Sequence, residues 1–276
     1  MGLVTRDDGW RVSDELWERM EPLLPPRKAH PLACHNPRVP DRDAINGILF
    51  VLRTGCQRNA LDATGICSCS SSYRRWREWI DAGVFEELWR QGLLKYDKLK
   101  GLDWSWLAMD GAMTKAPLGG EKTGPNPTDR AKCGVKRSLL TEAAGIPIAV
   151  AVAGANRHDV TLVRETLENI EVKRPRPTSQ KPQGLCMDKA YDSDEVRELV
   201  KEFGFTAHIR ARGEEAQAIK RTARKKARRW VVERTHSWMN RFRRILIRWE
   251  QRADTYIAFL HLTCALITWR ATGLLE

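Results

Sequence analysis

Trp104-Ser105-Trp106-Leu107-Ala108-Met109 is a short apolar run that stops at Asp110-Gly111, and Gly184-Leu185-Cys186-Met187 is another that stops at Asp188. Brief apolar runs bounded by turn residues predict buried strands. Residues 136–141 and 146–153 flank the turn Ala144-Gly145 and predict a β-hairpin. Asp159 stands where it can cap a helix holding Leu162, Val163, Thr166, Leu167 and Ile170. Ser193 opens a helix with Val196, Leu199 and Val200, and residues 205–209 predict a last strand. Residues 102–210 therefore run strand, hairpin, helix, strand, helix, strand. That order predicts an α/β layer with a mixed sheet flanked by helices.

The hundred residues before this stretch read as helices. Ser13 caps a short one carrying Leu16, Trp17 and Met20, which stops before Pro25-Pro26; residues 25–40 hold five prolines and predict a loop. Asp41 caps a helix on which Ile45, Ile48, Leu49 and Leu52 recur at helical spacing, with Gly55 at its end. Residues 70–72 cap a helix with Tyr73, Trp76, Trp79 and Ile80 on one side and Arg74, Arg75 and Arg77 along the rest; another helix covers 85–94. Short helices, one of them basic and aromatic, fit a helix-turn-helix module and fit a plain bundle equally. Beyond residue 210 the pattern predicts a basic loop and two long helices, over 227–249 and 252–270.

At 276 residues, 42 % hydrophobic and 30 % charged, the composition is globular and excludes a disordered chain. No run is long and apolar enough for a transmembrane helix, and 255–269 reads as a buried helix. The first residues lack the apolar run of a signal peptide. Seven cysteines, an odd number, argue against a disulfide framework and for the reducing cytoplasm. Cys67-Ser68-Cys69 has no second pair at zinc spacing. The net charge of +12 is unevenly spread: residues 1–100 hold 16 basic and 14 acidic residues, whereas 210–250 hold 14 basic and 4 acidic. Such a block points to a polyanion, nucleic acid foremost, with a solvated helix face as the plainer alternative.

Asp110 and Asp188 each end a predicted strand. If those strands are neighbours, the carboxylates meet at one sheet edge and offer hard oxygen ligands to Mg²⁺ or Mn²⁺. Capping the next helix is the ordinary alternative for either residue. Glu233 is the only acidic residue between Glu215 and Glu250. On its predicted helix Val231, Trp238, Phe242, Ile245 and Trp249 form an apolar stripe, while Arg229, Glu233, His236, Asn240 and Arg244 form a polar one. An Arg229–Glu233 pair at i,i+4 is the plain reading of that acid. Three carboxylates among arginines and lysines suit phosphodiester chemistry, because acids hold metal ions and cations hold phosphates.

Several stretches resemble one family together: Asp110-Gly111, Lys136-Arg137-Ser138-Leu139-Leu140-Thr141, Gly154-Ala155-Asn156-Arg157-His158-Asp159, Asp188-Lys189-Ala190-Tyr191-Asp192 and Trp230-Val231-Val232-Glu233-Arg234-Thr235-His236-Ser237-Trp238. Their order and spacing resemble bacterial insertion-sequence transposases of the DDE type, of the insertion-sequence-five family. The resemblance runs over essentially the whole chain and includes the tail at 256–266. It implies a ribonuclease-H-like core, with a mixed five-stranded sheet flanked by helices, over residues 101–276. It also implies an all-α DNA-binding region over 1–100.

The resemblance further implies that Asp110, Asp188 and Glu233 are the catalytic, metal-binding acids, with two Mg²⁺ ions for which Mn²⁺ can substitute. Arg229 matches the arginine of the family's Tyr-Arg-Glu-Lys signature. Lys226 replaces its tyrosine and Asn240 its lysine, whose phosphate contact passes to Arg241. Ala190 replaces a glycine beside the second aspartate. The DNA-binding set is Arg229, Arg241, Arg244, Arg224, Lys225, Lys226, Lys189, Arg74, Arg75 and Arg77. The implied enzyme is a transposase that frees a 3′-hydroxyl at the element's end and joins it to target DNA. Tyr191 then packs or orients the site and is no nucleophile. The partners are double-stranded DNA, at element ends and target, and a second copy of the chain on DNA; no membrane is involved. The rival readings are a metal-dependent nuclease and a DNA-binding protein without catalysis.

Overall fold

The computed structural model describes residues 10–26, 38–209 and 230–274. Helix α1 (Asp14–Met20) is capped by Ser13, whose side chain accepts the Leu16 N–H. Helix α2 (Asp41–Thr54) ends at Gly55 with φ +70°, the left-handed turn that glycine accommodates without strain. Asp41 does not cap it. Pro40 holds that position, and the Asp41 carboxylate takes Arg38 at 3.1 Å and Arg75 at 3.3 Å. Helix α3 (Cys69–Asp81) starts earlier than its serines suggested, with Ser68 as the cap. Helix α4 (Val84–Lys100) follows and stops at Gly101.

The sheet has six strands: β1 (Trp106–Lys115), β2 (Gly124–Pro125), β3 (Cys133–Thr141), β4 (Pro147–Gly154), β5 (Gly184–Met187) and β6 (Thr206–Ile209). The order is β2-β3-β1-β5-β6, with β4 also paired to β3. Strands β1, β3 and β4 pair antiparallel, whereas β5 and β6 run parallel to β1. This is the mixed sheet flanked by helices that the sequence predicts, and two-residue β2 is the strand beyond the five expected. Helices α5 (Val160–Glu168) and α6 (Asp194–Glu202) follow β4 and β5.

The expected helix over 227–249 is broken. Helix α7 (Trp230–Met239) ends before an extended Phe242, a short α8 (Arg243–Leu246) follows, and Ile247 then bridges to Lys115 of β1. One long-range bond and two local ones hold the extended segment after α8. The Arg248 N–H donates to the Lys115 carbonyl at 2.8 Å, and the buried Arg248 guanidinium donates to the carbonyls of Glu250 and Gln251. Trp249, read as core, is consequently exposed.

Helix α9 (Ala253–Thr272) is buried almost all round, and among the described residues no helix is long and apolar enough to cross a membrane. It packs along α4, where the Trp269 indole N–H donates to the Leu88 carbonyl at 3.0 Å. Trp76 stacks on Phe259 at 4.2 Å, and the Trp89 indole N–H donates to the Pro147 carbonyl. One hydrophobic core therefore runs from the N-terminal helices through α9 to the sheet. Trp76 and Trp79 are fully buried in it.

Candidate active site

The parallel register sets the two aspartates. Trp106, Leu107 and Ala108 pair with Gly184, Leu185 and Cys186. Carried on by two residues, that register puts Asp110 level with Asp188 on strands about 4.8 Å apart. Asp110 does not end its strand: β1 continues to Lys115 beside β3 alone, so the carboxylate stands where the parallel pairing stops. Asp188 does cap, with its Oδ1 accepting the Lys189 N–H at 2.5 Å at the start of the turn Lys189–Tyr191. The capping reading of Asp188 therefore holds, at this turn.

Glu233 arrives on α7, which packs on β1 and β3 through Val231, Val232, Thr235, His236 and Met239. The Thr235 hydroxyl donates to the Gly145 carbonyl at 2.7 Å, and the Arg234 guanidinium to that of Ala144. His236 is buried with Nε2 3.4 Å from the Asp110 carbonyl oxygen. Burial first, and then the Arg137 charge, press its pKa down to about 3, so the ring is neutral. Glu233 is exposed one turn before this contact. Among the described residues no three His, Cys, Asp or Glu side chains are grouped closely enough to hold an ion together. The fold places the three acids on adjoining elements without closing them into one cluster.

A fourth acid, Asp159, for which the sequence favours a helix cap over a metal or base pair with His158, stands at Gly111, the residue after Asp110. Asp159 precedes α5 but makes no side-chain cap bond. Its Oδ1 lies 3.1 Å from the Lys136 ammonium, which also donates to the Arg157 carbonyl at 2.7 Å. The same oxygen presses on Gly111, leaving no room for a β-carbon there. Tyr191 is fully buried, and burial followed by the charges of Asp159, Asp110 and Asp188 raises its pKa well above the ordinary phenol value. The signal that existed was His158-Asp159, at the end of one of the family-like stretches.

Residues 105–268 match the family model described as "Transposase DDE domain". The chain belongs to the DDE transposases. Residues 12–89 match a second model, "Putative transposase of IS4/5 family". The chain is 41 % identical over 155 residues to the "Putative transposase for insertion sequence element IS402" of Burkholderia cepacia, spanning 55 % of this chain and 70 % of that one. It is 40 % identical over 120 residues to an insertion element IS402 uncharacterized 16.2 kDa protein of the same organism, spanning 42 % and 80 %. Among solved structures, the Mos1 mariner paired end complex with Mn is a distant likeness: 14 % identity, TM-score 0.29, covering 90 % of this chain and 82 % of that one. The protein is therefore a DDE-type transposase of an insertion sequence.

The basic residues of the transposase divide by their surroundings. Arg241 and Lys189 are exposed beside the acids' elements, and Arg74 is exposed on α3. Arg75 is held by Asp41 and Glu78, and Arg77 by Asp81 and Asp254. Arg244, expected on DNA, is a correction. It is only 7 % exposed, donates to Glu250 at 2.7 Å and to the Cys56 carbonyl at 3.0 Å, and is spent inside the protein. Asn240, at the signature's lysine position, accepts from the buried Arg137 guanidinium. Arg224, Lys225, Lys226 and Arg229 lie outside the described residues.

Proposed function

We propose that this transposase binds the ends of its insertion sequence, frees a 3′-hydroxyl at each and joins it to target DNA. The observation that supports this reading is the β1–β5 register, which pairs Ala108 with Cys186, two residues before Asp110 and Asp188, on a sheet against which the helix bearing Glu233 packs. In the first step a water oxygen attacks the phosphorus and the P–O3′ bond breaks, leaving a 3′-hydroxyl and a 5′-phosphate. In the second, that hydroxyl attacks a target phosphodiester and displaces the target's own 3′-oxygen.

Asp110, Asp188 and Glu233 are the metal-binding acids of this reading. Carboxylates are the hard donors that Mg²⁺ or Mn²⁺ takes, and the charges of Asp110 and Asp188, with that of Asp159, act on the orphaned Tyr191 hydroxyl. Two bound ions supply Lewis acidity at the attacking and leaving oxygens. Arg241 and Lys189 hold phosphate, with Arg224, Lys225, Lys226 and Arg229 adding the basic segment. Residues 1–100 engage the element ends, with Arg74 outward, and residues 101–276 perform the chemistry. Two copies pair two ends, in the bacterial cytoplasm.

The test uses the purified protein, labelled DNA carrying the element's ends, a target plasmid, and Mg²⁺ or Mn²⁺ against EDTA. Metal-dependent 3′-hydroxyl products joined to the plasmid are expected. Cleavage without joining replaces the proposal with a nuclease, and binding with neither leaves a DNA-binding protein.

A further inference from the structure

The turn between β3 and β4 is shaped to receive α7. Buried Glu142 holds it from inside: its carboxylate accepts the Ala144 N–H at 2.8 Å, the Ile146 N–H at 2.9 Å and, from the segment before β1, the Asp103 N–H at 3.3 Å. Gly145 turns the chain at φ +90°. A β-carbon there would lie 2.7 Å from Arg234 Nη2, 3.1 Å from the Thr235 hydroxyl and 3.2 Å from Val231, so α7 seats against this glycine. Both carbonyls of the turn are used: Ala144 accepts from the Arg234 guanidinium and Gly145 from the Thr235 hydroxyl.

Arg234 is also held from its flanks. Its guanidinium carbon lies 4.4 Å from the Trp230 ring centre and 4.6 Å from that of Trp238. Residues 230, 234 and 238 recur every fourth position on one helix face, so the cation is clamped between two indoles. A planar guanidinium suits this clamp, because it stacks on rings while donating in its own plane. Helix ends fray unless they are tied, and Glu233 lies in the first described turn of α7. The Trp230–Arg234 contact spans Glu233, and the Arg234 bond joins that turn of helix to the rigid hairpin.

We propose that Arg234 is a positioning residue of the site. It fixes the turn of α7 that carries Glu233 against the β3–β4 hairpin, and so sets where the Glu233 carboxylate stands relative to Asp110 and Asp188. This rests on reading those three residues as the metal-binding acids. The competing accounts are a clamp that only stabilises the fold and a direct contact from Arg234 to a DNA phosphate.

The experiment compares Arg234→Met, Arg234→Lys and Trp230→Ala with wild type and with Glu233→Gln, all in the full chain. Met keeps a stem between the rings and loses the bond and the charge, whereas Lys keeps a donor for the Ala144 carbonyl. Unfolding curves give stability, and isotherms at several salt concentrations give affinity for the element's ends. Mn²⁺ titrated without DNA, read by the electron-spin signal of the free ion, gives metal affinity. Single-turnover cleavage at saturating DNA gives the rate. Arg234→Met is expected to bind the ends as wild type does, to bind Mn²⁺ several-fold more weakly and to cleave about 10- to 100-fold more slowly. Arg234→Lys should recover part of both losses. Wild-type Mn²⁺ affinity and cleavage in a folded Arg234→Met overturn the proposal and leave a clamp that only stabilises. Weaker end binding, with a salt slope lowered by about 1 and an unchanged cleavage rate, overturns it in favour of a phosphate contact. If Arg234→Met does not fold, Trp230→Ala decides, since that ring is 42 % exposed and its loss opens the clamp. Wild-type Mn²⁺ affinity and cleavage there overturn the proposal. If Glu233→Gln binds Mn²⁺ and cleaves as wild type does, the triad reading falls and this proposal with it.

Discussion

The Nε2 of His236 lies 3.4 Å from the backbone carbonyl oxygen of Asp110. A carbonyl only accepts, so the neutral ring carries its proton on Nε2. This buried contact ties the helix bearing Glu233 to the strand bearing Asp110. His236→Ala is expected to cost about 2–4 kcal/mol through lost packing and the lost bond. End cleavage falls with it, while DNA binding holds. Urea unfolding and a cleavage time course check both; a destabilised variant that cleaves at the wild-type rate contradicts the tie.

A buried imidazole and a half-buried one make stability depend on pH. The His236 pKa is pressed to about 3 and that of His261 to about 4, both chiefly by burial. The unfolded chain then binds more protons than the folded one below pH of about 6.5, so stability is complete above that value. It is lost as pH falls toward 4 and then 3. Glu171 acts oppositely: burial raises its carboxyl to about 8, so its share is present below the ordinary carboxylate range and is lost as pH rises toward 8. Urea midpoints from pH 4 to 8 should show His236→Gln flattening the acid side and Glu171→Gln the alkaline side. Unaltered slopes in both variants contradict these assignments.

Gly111 is required by Asp159. An added β-carbon meets the Asp159 Oδ1 and its Cγ, the latter at 3.3 Å. Gly111→Ala is expected to cost about 1–3 kcal/mol by overpacking. Asp159→Ala should recover part of that loss in the double variant, which unfolding curves of the four proteins measure. Additive losses contradict a direct clash.

Arg241 and Arg244 look alike in the sequence and have opposite fates. Arg244→Ala leaves the buried Glu250 with only the Arg58 guanidinium, 3.8 Å away, and is expected to cost about 2–4 kcal/mol. Arg241→Ala should change stability by no more than about 0.5 kcal/mol. It should weaken DNA binding and lower the salt slope by about 1. Binding isotherms at several salt concentrations decide; wild-type affinity in Arg241→Ala removes it from the DNA contact.

These two arginines show where sequence legibility ends. The strand Gly184–Met187 and the hairpin of β3 and β4 were legible because each is a short apolar run with its own turn signals. Asp110 and Asp188 were legible because both stand beside such runs. The end of α7 was not, since no proline or glycine marks it. The segment that follows is bonded from Arg248 to Lys115, far away in sequence. The fate of Arg244 depends likewise on Glu250 and on the Cys56 carbonyl. Asp159 read as a cap because its position is a cap's. Only the fold brings it to Gly111 and Lys136. Local pattern carries the elements and the acids that end them, whereas contacts between distant segments decide which polar groups are free.

The most direct test of the account is the Glu233→Gln variant. It is assayed beside wild type for binding to the element's ends and for Mg²⁺-dependent cleavage of the same DNA. Glu233 is exposed on α7, so the amide leaves the fold in place. The account predicts wild-type binding with cleavage reduced to the level seen in EDTA. Binding and cleavage both at wild-type levels would contradict it.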